Sequence, residues 1–155
     1  SAAGELGHEQ QNRLALALKN PPGSSELSCL LIHHPPFPGM TKARKALRDS
    51  ARLLETVEQS PPALVLYGHI HVNRENVHNG IHAFCTASAS SIRDASFRII
   101  DLEQEESGWH CRVRLISLER GASTGARFSL AAESSWRTSA AGTDTPLEGP
   151  ERNSA

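Results

Sequence analysis

Leu27-Ser28-Cys29-Leu30-Leu31-Ile32-His33-His34-Pro35-Pro36 is a short, nearly continuous apolar run that stops on two histidines and two prolines. A run of this length between breakers suits a strand buried on both faces, as in a parallel sheet covered by helices. Neither proline can donate to a sheet ladder, so the strand ends at the histidines. A second run, Ala63-Leu64-Val65-Leu66-Tyr67, passes directly into Gly68-His69-Ile70-His71. Between them Thr41 suits an N-cap, and Ala43, Leu47, Ala51, Leu54 and Val57 recur at helical offsets until Ser60-Pro61-Pro62 breaks the pattern. Strand, helix, strand is a βαβ unit, hence a parallel pair with a right-handed crossover. The fold class is α/β.

Ligand sites in open α/β sheets lie at the carboxyl ends of strands. The fold reading therefore sets His33 and His34 beside His69 and His71. In an extended backbone His69 and His71 share one side, because side chains repeat with period two. Gly68, without a Cβ, frees the chain to turn off the sheet at this point. Neutral imidazole is a common metal ligand, and Zn, Fe, Mn, Co and Ni all accept nitrogen donors. Converging imidazoles without a metal would repel one another on protonation, so the cluster reads as a metal site. His8, His78, His82 and His110 read as ordinary surface or core residues, with His78 and His82 exposed beside a hairpin turn.

Outward from this unit, Leu6, Leu14, Ala17 and Leu18 mark a helix over about 8–19, stopped by Asn20-Pro21-Pro22-Gly23. Lys42, Arg44, Lys45, Arg48 and Arg52 read as a solvated basic face. Asn79-Gly80 between β-prone flanks predicts a hairpin. Phe97–Leu102 and Trp109–Leu118 predict two antiparallel strands, the second with Trp109, Cys111, Val113 and Leu115 on its buried side. From Arg120 onward 23 of 36 residues are Ser, Thr, Ala, Gly or Pro, which predicts a flexible low-complexity tail over 120–155 after a folded part, 1–119.

Composition excludes several classes. Lys+Arg 16 against Asp+Glu 17 gives a net charge of −1, which argues against a polybasic arm and a dedicated nucleic-acid binder. No apolar run approaches the ~20 residues needed to cross a bilayer, so no membrane partner is expected. Cys29, Cys85 and Cys111 form no CxxC pair, which predicts reduced thiols and a cytoplasmic protein.

LLIHHPP (Leu30–Pro36) and LVLYGHIH (Leu64–His71) resemble the last two motifs of the calcineurin-like metallophosphoesterase superfamily, its cyclic-nucleotide phosphodiesterase branch above all. GELGHEQQNRLALAL (Gly4–Leu18) and LRDSARLLETVEQ (Leu47–Gln59) resemble the neighbouring helices, so the resemblance covers about residues 4–118. It implies a four-layer α-β-β-α sandwich, of which this chain is the C-terminal half. It implies two divalent metal ions (Fe, Mn, Zn or similar), with His33 and His69 ligating one and His71 the other. His34, which has no ligand counterpart in most of the family, is placed either behind the ligands or beside the substrate phosphate, as the catalytic candidate. The family's Asp-x-His, Gly-Asp and Gly-Asn-His-Asp strings do not occur in the 155 residues, so the two-metal site is incomplete here. The partners implied are a phosphoester substrate, cyclic nucleotides among them, and a missing N-terminal half of the domain. The implied activity is metal-assisted phosphoester hydrolysis. Two other readings stay open: a mononuclear zinc hydrolase with three histidines and a water, and an inactive fragment or interaction module without the carboxylate ligands.

Overall fold

The computed structural model describes residues 2–19, 26–91, 95–121, 125–139 and 144–145. Helix α1 spans Gly7–Lys19, strand β1 Cys29–Ile32, helix α2 Ser50–Gln59 and strand β2 Leu64–Tyr67. Strands β3 (Arg74–His78) and β4 (Ile81–Cys85) form the hairpin expected at Asn79-Gly80, where both turn residues have positive φ (47° and 77°). Strands β5 (Ser96–Glu105), β6 (Gly108–Gly121), β7 (Gly125–Ser139) and β8 (Asp144–Thr145) follow. The first sheet has the order β1-β2-β4-β3, with β1 and β2 parallel and Ile32 opposite Tyr67. The second runs β5-β6-β7-β8, all antiparallel.

Side-chain alternation divides the apolar residues between two cores. Val65, Tyr67, Ile81, Ala83 and Cys85 point from one face of the first sheet toward Leu53 and Val57 of α2 and Leu14 and Leu18 of α1. Leu64 and Phe84 point from the other face toward Cys111, Val113 and Trp136 of the second sheet. The described residues thus form three layers: helices, first sheet, second sheet. No helix among them is long and apolar enough to cross a membrane.

Four local expectations are corrected. First, β1 is an edge strand rather than one buried on both faces. Leu30 and Ile32 pack against the helical core, but Leu31 is 73% exposed because the core between the sheets is built on β2 and β4 and not on β1. Second, α2 begins at Ser50, not at Thr41, and only a 3-10 turn (Ala43–Lys45) precedes it. The backbone of 44–48 is taken up by pairing with the N-terminal segment: Ala2 N–H donates to Arg44 O, Gly4 N–H to Ala46 O and Arg48 N–H to Gly4 O. Third, His82 points inward, stacked on Trp136 with ring centroids 4.1 Å apart.

Fourth, 125–139 is a strand and not a tail. β7 pairs with β6 along its length and buries Trp136 against Cys111. The small residues that suggested disorder suit a strand because its stability comes from the ladder and one large anchor, not from its own apolar pattern. Residues 122–124, 140–143 and 146–155 of the expected tail lie outside the described residues.

Candidate metal centre

Hydrogen-bonded pairing of β1 with β2 carries His33 and Gly68 off the sheet side by side, and Gly68 N–H donates to His33 O at 3.1 Å. The chain then turns sharply: Ile70 N–H donates to Gly68 O at 2.8 Å. His69 and His71 both adopt left-handed backbone (φ 69° and 54°). Neither residue is glycine, and such conformations cost of order 1–3 kcal/mol unless the surroundings impose them. Cys85, the last residue of β4, is fully buried beneath this turn. Its Sγ donates to Gly68 O at 3.6 Å and accepts from the backbone N–H groups of Val72 and Ile70. Burial pushes the Cys85 thiol pKa up, so it stays protonated and donates.

Three imidazoles meet above the strand ends. His33 Nε2 lies 3.1 Å from His69 Nδ1. The His34 ring packs 4.3 Å from that of His69 and 5.1 Å from that of His33, centroid to centroid. His34 Nε2 lies 3.0 Å from Ala2 O. A carbonyl only accepts, so the Nε2 of His34 carries the proton and its Nδ1 is the free acceptor in the neutral ring. The ring rests directly on Gly4, where a Cβ would fall 2.5 Å from Cε1 and 2.6 Å from Nδ1. His71 is exposed and stands outside this set of ring contacts. The sequence-predicted residues are therefore divided: His33, His34 and His69 come together, and His71 sits apart at the end of the turn.

Burial lowers the His69 pKa, and His34, His33 and Lys45 lower it further as neighbouring positive charges or potential charges, outweighing the Ala2 backbone, which raises it. His69 Nε2 is buried without a close hydrogen-bond partner, and the nitrogen that meets His33 is the other one, Nδ1. Among the described residues no group of three His, Cys, Asp or Glu is arranged to hold a metal ion. The residues present fit the nitrogen part of a donor set and not a whole one.

Asn73 and Arg74, just past His71, have structural roles. Asn73 Oδ1 accepts from Ala87 N–H at 2.9 Å and Ser96 Oγ at 3.0 Å, joining the turn to β5, and Arg74 Nη1 donates to Met40 O at 2.9 Å. Ala2, Gly4 and Cys85 support the site without having been singled out in the sequence. A glycine at the start of the helix-bearing segment and an unpaired cysteine ending a strand were the only signals.

No family model matches the chain, and no curated protein matches it. Solved structures do. The chain is similar to Vps29 of Chaetomium thermophilum, with a TM-score of 0.51 at 12% identity over 76% of this chain and 57% of that one. It is also similar to Vps29 of Entamoeba histolytica complexed with zinc (TM-score 0.39, 13% identity, 60% of this chain and 51% of that one). A third likeness is to a Streptococcus pneumoniae TIGR4 protein described as a predicted phosphoesterase (TM-score 0.33, 12% identity, 83% of this chain and 95% of that one). The mixed α/β fold with two sheets is thus shared with part of the Chaetomium protein, of whose length the chain spans 57%.

Proposed function

We propose that this chain is the histidine-bearing half of a metal-dependent phosphoester hydrolase, acting in the cytoplasm. The observation that carries the reading is the meeting of His33 and His69 at 3.1 Å, each delivered by the end of one of two neighbouring parallel strands. His33 and His69 would hold one divalent metal (Fe, Mn or Zn), and His71 a second. A bound metal pair supplies an activated water and charge neutralisation for in-line attack on a phosphoester. His34, held by Ala2 O through its Nε2–H, would stand beside the substrate phosphate. The oxygen donors come from polypeptide outside this chain, the missing N-terminal half of the domain. The unprotected edge of β1, with Leu31 exposed, supports that placement, because an apolar edge strand without charge or proline is a template for a further strand.

The test has two stages. Zinc titration of the 155-residue chain, followed by the imidazole resonances, reports binding at His33 and His69. His33→Ala or His69→Ala should weaken it at least ~10-fold, the ~1.4 kcal/mol equivalent of losing part of one donor. Hydrolysis of bis(p-nitrophenyl) phosphate with Mn²⁺ is then measured in the polypeptide that includes the segment coded upstream. Undiminished turnover in His69→Ala and His71→Ala would remove the reading.

That no group of three His, Cys, Asp or Glu among the described residues is arranged to hold a metal ion favours a second reading, a non-catalytic interaction module. Zinc that fails to perturb His33 and His69 at any concentration would select it. One tightly held zinc per chain, with hydrolysis and no second metal, would select a mononuclear zinc hydrolase instead.

A further inference from the structure

The basic residues that follow His34 are not one uniformly solvated face. Arg48 pairs with Glu5 at 3.7 Å, and Arg52 donates to Asn12 Oδ1 at 2.6 Å. Lys42 is exposed at the head of the 3-10 turn. Lys45, at the end of that turn, is half-buried and forms no ion pair among the described residues. A lysine drawn partly out of water ordinarily has an anion to meet, and here the protein supplies none.

The backbone fixes where Lys45 stands. Residues 2–4 run parallel to 44–48: Ala2 N–H donates to Arg44 O, Gly4 N–H to Ala46 O and Arg48 N–H to Gly4 O, which sets Gly4 opposite Leu47. Opposite residues of such a pair present their side chains on one face, and the face recurs every second residue. Ala46 is extended (φ −79°, ψ 159°), so Lys45 shares the face of Leu47 and Gly4. On that face of Gly4 rests the His34 ring, its Cε1 2.5 Å from where a Cβ would lie. The His69 ring is packed 4.3 Å beyond it. The Lys45 charge is felt at His69, where it acts in the same sense as His34 and His33. Lys45, His34 and His69 therefore converge on one side of the 2–4 segment.

We propose that Lys45 pairs with a non-bridging oxygen of the substrate phosphate at the histidine cluster and gives the site a preference for doubly charged phosphate monoesters. This role rests on the phosphoester reading above and names the substrate class within it. His34 cannot make the same contact through Nε2, because that N–H is already given to Ala2 O at 3.0 Å. A lysine ammonium has three donors and no acceptor, on a stem long enough to follow a phosphate. Hydrogen bonds at Arg44 O and Ala46 O, on either side of Lys45, fix the origin of that stem. Coulomb attraction scales with ligand charge, so a dianionic monoester gains about twice what a monoanionic diester gains from one ammonium. Partial burial keeps part of that difference from being screened by salt.

Nuclear magnetic resonance titration of the metal-free 155-residue chain tests it, at about pH 8, where imidazoles are ordinarily neutral and lysine is charged. The probes are phenyl phosphate, a dianion under these conditions, and bis(p-nitrophenyl) phosphate, a monoanion. Phenyl phosphate should shift the Lys45 ε-methylene and the His34 and His69 ring resonances saturably, and bind at least ~3-fold more tightly than the diester. Lys45→Gln should weaken phenyl phosphate at least ~3-fold and remove the preference. Lys45→Arg should restore both, and Lys42→Gln, at the exposed lysine of the same turn, should change neither. A wild-type Lys45 resonance indifferent to phenyl phosphate would overturn the assignment without any variant, and so would a preference that outlives Lys45→Gln. Equal weakening by Lys42→Gln would mean general charge attraction and overturn it too. Zinc binding at His33 and His69 with no phosphate response at Lys45 sinks this inference alone. A phosphate response at Lys45 without zinc binding supports the contact and removes the metal-dependent reading.

Discussion

Gly4 has no room for a methyl group, and its neighbour cannot easily give. The His34 imidazole that lies against it is fixed on one side by Ala2 O and on another by the His69 ring. Gly4→Ala should displace the ring and cost ~1–3 kcal/mol, the usual penalty for inserting a methyl group into a packed contact. A lowered melting temperature together with a shifted His34 resonance checks it. Asp49 has a comparable reach. It sits at the N-cap position of α2 without capping that helix, and instead accepts Leu6 N–H at 3.2 Å and Gly7 N–H at 2.9 Å at the start of α1. Burial would raise its pKa, but donation from Gln11, Leu6 and Gly7 outweighs burial and holds the carboxyl below the ordinary carboxylate range. A depressed folded pKa means that the unfolded chain takes up protons first as pH falls. The stabilisation is therefore complete above the ordinary carboxylate value and is lost as pH drops through the folded value. Asp49→Ala should cost ~1 kcal/mol at neutral pH, and chemical denaturation of the variant should show a shallower loss of stability in that acid window.

Among the elements, those with their own local signal were legible in the sequence. The apolar runs ending in His33 and in Gly68, the helix stopped near Lys19 and the Asn79-Gly80 hairpin all stand where their residues indicate, because breakers and periodicity act locally. What depends on partners was not legible. The exposure of Leu31 follows from strand order, and the late start of α2 follows from Ala2–Gly4 pairing with residues 44–48. In the site, adjacency of His33 and His69 followed from the parallel pairing. The left-handed turn that sets His71 apart follows from Cys85 packing beneath it, which no spacing rule contains. Cys85→Ala should leave Val72 N–H without its sulfur acceptor, while Ile70 N–H keeps Gly68 O, and open a small cavity, costing ~1–3 kcal/mol. Because the loss falls under the turn, zinc affinity at His33 and His69 should fall with it. A variant as stable and as zinc-competent as the wild type would remove Cys85 from its positioning role.

At the scale of the whole molecule the two sheets depend on β7, the strand that composition concealed. Trp136 is 4% exposed and stacks on His82 at 4.1 Å and on Phe84 at 5.7 Å, both from β4 of the first sheet. Ser134 Oγ donates to Glu75 of β3, whose other oxygen lies 3.6 Å from His82 Nδ1, so a polar tie crosses between the sheets beside the aromatic stack. Removing β7 therefore strips cover from Phe84, Cys111 and Val113 together and leaves β6 as an unprotected edge. Trp136→Ala alone should cost ~3–5 kcal/mol, against a total of about 5–15 kcal/mol for a domain. Truncation after Glu119 removes the indole and the whole β6–β7 ladder, and should abolish the cooperative thermal transition. Thermal unfolding followed by near-ultraviolet circular dichroism separates the two views of residues 120–155. A dispensable tail leaves the midpoint unchanged on truncation, whereas a strand that closes the inter-sheet core takes the transition with it. Trp136→Phe should then recover most of the loss, since an aromatic ring that still stacks on His82 is what joins the sheets.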